Sequence, residues 1–177
     1  MSEVKDYGRA LFELAKEDGA IESVYADVSA VIAVVKGNPE YCAILNSPTL
    51  SKEERRGMID EAFGTLSENL RNLLKLLSDK RMAHLYPAAL SGFTAEYDLY
   101  MGILRVDAIT VNPLTQEQSA RLCQKLEAKT GKKVVINNII DASILGGIKL
   151  RYDGIQLDGS IKTRLDNLAK SLDNIIM

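Results

Sequence analysis

The hydrophobic period of this chain stays helical up to Gly102 and changes after it, and that change divides what its two parts can fold into. Up to about Met101, apolar residues recur every three and four positions, the repeat of one face of an α-helix. Beyond Gly102, Leu104–Val111 is rich in β-branched residues, which crowd a helix but pack well on a pleated strand. The chain therefore reads as α+β. An N-terminal antiparallel six-helix bundle over 1–102 is followed by a small α/β C-terminal domain over 103–177, with a β-hairpin and a terminal helix. Hydrophobic residues make up 46% of the 177, enough to give each part a core.

In the first part, Val4, Tyr7, Leu11 and Leu14 form one stripe that Gly19 can close. Val24, Val28, Val31, Ile32 and Val35 form a second, stopped by Gly37–Asn38–Pro39, and a short segment over Tyr41–Leu45 ends at Asn46–Ser47–Pro48. Ser51-x-x-Glu54 has capping-box spacing: the Ser hydroxyl accepts from a free backbone N–H and the Glu reaches back. It opens a helix through Met58, Ile59, Ala62 and Phe63 to Gly64. Thr65-x-x-Glu68 repeats that spacing and opens the next helix, whose Leu66, Leu70, Leu73, Leu74 and Leu77 form a broad apolar face. The last stripe is Tyr86, Leu90, Phe93, Tyr97 and Tyr100 or Met101. Arg55–Arg56, beside Glu53 and Glu54, reads as a solvated helix face.

In the second part, Pro113 breaks the first strand. Thr115-x-x-Gln118 starts a helix with Leu122, Cys123 and Leu126 inward, closed by Gly131, and Lys133–Ile140 is the next strand. Ile148, Leu150 and Tyr152 alternate with Lys149 and Arg151 up to Asp153–Gly154, the pair that suits a two-residue type I′ turn. That turn sets Tyr152 opposite Ile155 and Leu150 opposite Leu157 on one side, and Arg151 opposite Gln156 and Lys149 opposite Asp158 on the other. Ile161, Leu165, Leu168, Leu172 and Ile175 trace a final helical stripe, with Gly159 as a bend and Ser160 as its N-cap. Glycines before a helix often cradle phosphate, yet Gly146–Gly147 precedes a strand and Gly159–Ser160 has neither the P-loop nor the dinucleotide pattern. These glycines shape the chain.

Charge and composition exclude several functions. Acids and bases are interspersed around a net charge of −2, so no basic stripe exists to neutralise nucleic-acid phosphates. Cys42 and Cys123 lie outside any CxxC, and His84 has no ligand-spaced partner, so no metal site is expected; both cysteines read as small buried hydrophobes in a reducing compartment. No GxSxG elbow occurs, the carboxylates are scattered on helix faces, and Tyr86, Tyr97 and Tyr100 fit core and rim. No catalytic residue and no cofactor are expected. Glu3, Asp6, Glu13, Glu17 and Asp18 argue against a secretory signal or transit peptide. No run approaches the ~20 apolar residues that cross a bilayer, so direct membrane insertion is not expected. What remains suits an adaptor with two binding surfaces.

Three stretches resemble the delta subunit of F-type ATP synthase, the family of the oligomycin-sensitivity-conferring protein. They are Tyr7-Gly-Arg-Ala10-Leu11-Phe12-Glu-Leu-Ala15, then LLKLLSDKRM over Leu73–Met82, then Gly146–Gly147 with Asp158–Gly159–Ser160 and Arg164–Leu165-Asp-Asn-Leu168. The resemblance spans nearly the whole chain in order and spacing, and its motifs are structural. It implies a non-catalytic stator subunit on the cytoplasmic face of the bacterial cell membrane. The helical domain would hold the N-terminal helices of the alpha subunits of the catalytic head, and the C-terminal domain the b subunits of the peripheral stalk. It places the alpha-binding groove between the first helix (Tyr7, Ala10, Leu11, Leu14) and the fifth (Leu73, Leu76, Leu77). Core filling is the plainer account of Leu11 and Leu73. A free-standing cytosolic helical adaptor or regulatory protein is the alternative.

Overall fold

In the computed structural model, which describes residues 2–144, 146–152 and 154–159, the chain divides into two compact units, Met1–Tyr100 and Met101–Met177. The described residues form seven α-helices and a four-stranded mixed sheet. The first unit holds α1 (Ser2–Glu17), α2 (Ile21–Gly37), α3 (Pro39–Leu45), α4 (Lys52–Phe63), α5 (Glu68–Asp79) and α6 (Tyr86–Tyr100). The second holds β1 (Ile103–Thr110), α7 (Gln116–Thr130), β2 (Lys133–Ile140), β3 (Ile148–Tyr152) and β4 (Ile155–Asp158). The expected terminal helix and its Ser160 cap lie outside the described residues, as does Asp153 of the hairpin turn.

The closest approach in the first unit is between α1 and α6, where two glycines meet backbone. A Cβ on Gly8 would run into the Ala89 carbonyl oxygen and lie 2.5 Å from the Phe93 amide nitrogen. One on Gly92 would run into the Lys5 carbonyl oxygen. This contact rolls α1 about its axis. It buries Gly8, Leu11, Phe12 and Ala15, with Phe12 edge-on to Phe93 at 5.6 Å. The stripe expected from periodicity, Val4–Tyr7–Leu11–Leu14, is therefore offset from the buried face: only Leu11 is buried, Val4 and Tyr7 are half-buried, and Leu14 is 46% exposed.

On the other side of α6, α2 buries Val24, Val28, Val31 and Val35, and Tyr25 stacks on Tyr97 with centroids 3.9 Å apart. The Ser51–Glu54 capping box forms with both bonds in place, at 2.8 and 3.2 Å. The second expected box does not form. α5 starts at Glu68 with Ser67 as N-cap, and the Ser67 amide donates to Asp27 Oδ2 at 2.8 Å. A tertiary acceptor from α2 thus replaces the local one that Thr65 was expected to supply.

The arginine pair also divides. Arg55 is 5% exposed and donates from Nη1 to the Leu50 carbonyl at 2.7 Å, so it is no solvated face. Arg56 lies at the surface and pairs with Asp79 at 2.7 Å, joined there by Lys52 at 3.2 Å. At the other end of the same helix pair, Asp60 takes Lys75 at 2.6 Å and Arg71 at 3.3 Å. Two carboxylates therefore tie α4 to α5. Burial pushes the Asp79 carboxyl up, but the Arg56 and Lys52 hydrogen bonds outweigh it and hold the group below the usual range.

In the second unit the strand order is β2-β1-β3-β4. β1 and β2 are parallel, joined through α7, and the other pairs are antiparallel. α7 opens on the Thr115–Gln118 capping box and closes at Gly131. Its Leu126 packs with Leu104, Val106, Ala108, Val134 and Leu150, with Leu122 and Cys123 at the margin. The hairpin register matches the expectation pair for pair, from Tyr152↔Ile155 to Lys149↔Asp158. Gly146 and Gly147 enter β3 at φ 142° and 85°, backbone that an L side chain resists. The Gly159 amide bonds the Ile148 carbonyl at 3.0 Å, closing the hairpin's open end. Asn138 holds the turn between β1 and α7, giving Nδ2 to the Ala108 carbonyl and Thr110 Oγ1 and taking the Leu114 amide, each at 2.8 Å.

Gly8→Ala and Gly92→Ala should each destabilise the protein by about 1–3 kcal/mol or more, because the added methyl meets backbone that cannot rotate away. Gly57→Ala, where a Cβ meets nothing within 4 Å in mid-helix, should stabilise it by roughly 0.5–1 kcal/mol. Urea unfolding of the three variants checks both signs. For acid, folded Asp79 titrates below the ordinary ~3.9 of an aspartate, so its contribution is present above that value and drains away as pH falls through the folded one. Asp79→Asn should flatten the acid limb of a stability–pH curve below about pH 4.

Candidate partner-binding groove

α1 and α5 run antiparallel, tied at both ends. Asp18, just past α1, accepts from Asn69 Nδ2 at 3.0 Å near the start of α5. Lys80, just past α5, donates to the Tyr7 hydroxyl at 2.7 Å, with its Nζ 5.2 Å from that ring's centroid. Between the ties lies an open groove of about 250 Å³, lined by Tyr7, Ala10, Leu11, Leu14, Asn69, Asn72, Leu73 and Leu76. A wider recess of about 590 Å³ shares Tyr7 and Ala10 and reaches Val4, Asp6, Lys80 and Met82.

The groove has a buried floor and exposed walls. Leu11 and Leu73 form the floor and belong to the core as well. Leu14 and Leu76 stand as walls, 46% and 43% exposed, and Ala10 is exposed between them. The depression exists because Ala10 carries only a methyl where its neighbours along the face carry a ring and an isobutyl group. Covering the outer halves of the two wall leucines would be worth roughly 1 kcal/mol each. An open apolar trough of this shape suits another apolar side-chain row.

Six of the seven residues expected at a partner groove line this one: Tyr7, Ala10, Leu11, Leu14, Leu73 and Leu76. Leu77 does not. It is 0% exposed, turned about 100° from Leu76 around the helix and into the core. Asn69 and Asn72 were not anticipated, although they share the spacing of Leu73 and Leu76, because an apolar-stripe reading passes over polar rim residues. Of the structural-motif residues, Gly146, Gly147, Asp158 and Gly159 shape the hairpin of the second unit, whereas Ser160, Arg164 and Leu165 lie outside the described residues. His84 is exposed and bonds Asn46 through Nδ1 at 3.1 Å. Among the described residues, no single helix is long and apolar enough to cross a membrane.

The family model for "ATP synthase delta (OSCP) subunit" matches residues 4–172. The chain belongs to that family. Its relatives include proteins named ATP synthase subunit delta from Geobacillus sp. (strain WCH70), 32% identical with 95% of each chain covered, and from Clostridioides difficile (strain 630), 31% identical with 96% of this chain and 95% of the relative covered. A chain of the cryo-EM structure of the Toxoplasma gondii mitochondrial ATP synthase hexamer has the same fold, at a TM-score of 0.75 and 22% identity over 96% of each chain. Within this delta-family fold, floor and wall residues should respond differently to truncation. Leu11→Ala should cost about 2–5 kcal/mol of stability as a core cavity. Leu76→Ala, on the exposed wall, should stay within roughly 0.5 kcal/mol of wild type. Denaturant midpoints of the two variants distinguish these outcomes.

Proposed function

We infer that this chain is a non-catalytic stator subunit of an F-type ATP synthase, a structural part that couples ion-driven rotation to ATP synthesis by holding the catalytic head still. Family membership supports the role. The observation that carries the partner assignment is the apolar groove between α1 and α5, whose walls are half-exposed leucines over a buried floor. A trough of this kind suits the apolar face of one amphipathic helix, which contributes affinity through buried area without any chemistry. In this reading the N-terminal helix of an alpha subunit occupies the groove, and the antiparallel six-helix bundle of 1–102 is the head-binding domain. The domain over 103–177 holds the b subunits, and the assembly sits peripherally at the cytoplasmic face of the bacterial membrane.

The test uses the full chain and a peptide of the first ~20 alpha-subunit residues, a length at which an isolated helix is marginal and folds on binding. Ala10→Trp should fill the trough and weaken peptide capture by roughly tenfold or more, while the exposed position leaves the thermal midpoint within a few degrees. Titration calorimetry and a thermal melt read the two quantities. Unchanged affinity with a lowered midpoint would refute the groove assignment. A tagged chain that brings down no alpha or b subunits would favour a free-standing adaptor.

A further inference from the structure

Among the described residues, five buried side-chain atoms meet no hydrogen-bonding group of the protein: Arg55 Nε, Ser67 Oγ, Arg71 Nε, Ser78 Oγ and Asp79 Oδ1. Four belong to α5 or its N-cap, and the fifth lies on α4, which packs against α5. The two at the start of α5, on Ser67 and Arg71, lie close to solvent, since the Arg71 side chain is 27% exposed. The three at its end lie deeper: Ser78 is fully buried and Arg55 nearly so. A polar atom taken out of water without a replacement bond is costly, and here three such atoms sit at one level of one helix pair.

The register of the two helices brings them together. Lys52 and Arg56 meet Asp79, while Arg71 and Lys75 meet Asp60, so α4 and α5 run antiparallel. The inward row of α4 is Arg55, Ile59 and Phe63, and that of α5 includes Leu70, Leu74 and Ser78, both in steps of four. Arg55 therefore stands level with Ser78, beside Asp79. The ordinary partners of these groups are engaged. A helical serine hydroxyl commonly bonds the carbonyl four residues back, but the Leu74 carbonyl already takes the Tyr86 hydroxyl at 2.8 Å. Arg55 Nη1 donates to the Leu50 carbonyl, and Asp79 Oδ2 takes Arg56 and Lys52. What is left is one N–H donor, one carboxylate acceptor and one hydroxyl that serves as either.

We propose that one ordered water is bound between α4 and α5, accepting from Arg55 Nε and donating to Asp79 Oδ1 and Ser78 Oγ. The charges select a neutral ligand, because the guanidinium opposes a cation and the carboxylate opposes an anion. Three hydrogen bonds are the usual complement of a buried water. The bridge joins α4 to the helix that carries Leu73 and Leu76 of the groove, and it needs no partner protein to form.

High-resolution crystallography of the full-length chain should show one electron-density peak within about 3.2 Å of all three atoms. Ser78→Ala should lower the thermal midpoint by about 2–5 °C, because the water loses one of its bonds. A hydroxyl with no bridge predicts the opposite sign, since its removal relieves the desolvation of a buried unpaired group. A peak missing from that position, or one that touches fewer than three of these atoms, overturns the site. So does a midpoint that stays put or rises in Ser78→Ala.

Discussion

The first unit depends on a contact that contains no side chains. Where Gly8 crosses Gly92, α1 and α6 approach until backbone meets backbone, and a single methyl on either would collide with a carbonyl oxygen. Close approach lets Phe12 reach Phe93 and closes the core over Leu11 and Ala15. It also decides which apolar residues are left over. With Gly8 pressed inward, Tyr7, Ala10 and Leu14 face away from α6, and the groove is the remainder of that roll. A fold contact between α1 and α6 thus leaves an open apolar groove between α1 and α5.

Much of this was legible from residue types and spacing where the determining interaction is local. The Ser51 and Thr115 caps, the end of α7 at Gly131, and the register of the β3–β4 hairpin each follow from groups a few residues apart. Misreadings arose where the partner is distant in sequence. The Thr65 box lost to Asp27, forty positions away from Ser67, because a carboxylate on α2 was already presented to that amide. Arg55 was taken for surface because its neighbours are charged, yet its guanidinium reaches back to a backbone carbonyl under α4. Periodicity could not anticipate the roll of α1, since glycine scores as nothing in an apolar-stripe count.

The groove residues were only partly legible for the same reason. A stripe of leucines on α5 does not say which of them look inward, and Leu76 and Leu77 part company only when the packing partners of the helix are known. Asn69, Asn72 and Lys80 define the rim, and nothing in their spacing separates them from ordinary solvated positions. In the second unit, Asn138 is a comparable case. Its amide bonds three groups around the turn after β1, and only tertiary structure reveals the debt that loop owes to one side chain on β2.

Leu11 and Leu73 are at once the floor of the trough and part of the core. This double duty divides the groove into two evolutionary zones. On the floor, a substitution is filtered first by whether the chain still folds, so the depth and shape of the trough can drift only as fast as the core permits. On the rim, Asn69, Asn72 and Lys80 touch little of the interior and can change without that filter. The chemistry of the rim can then diverge between descendants of one ancestor while the trough itself keeps its form.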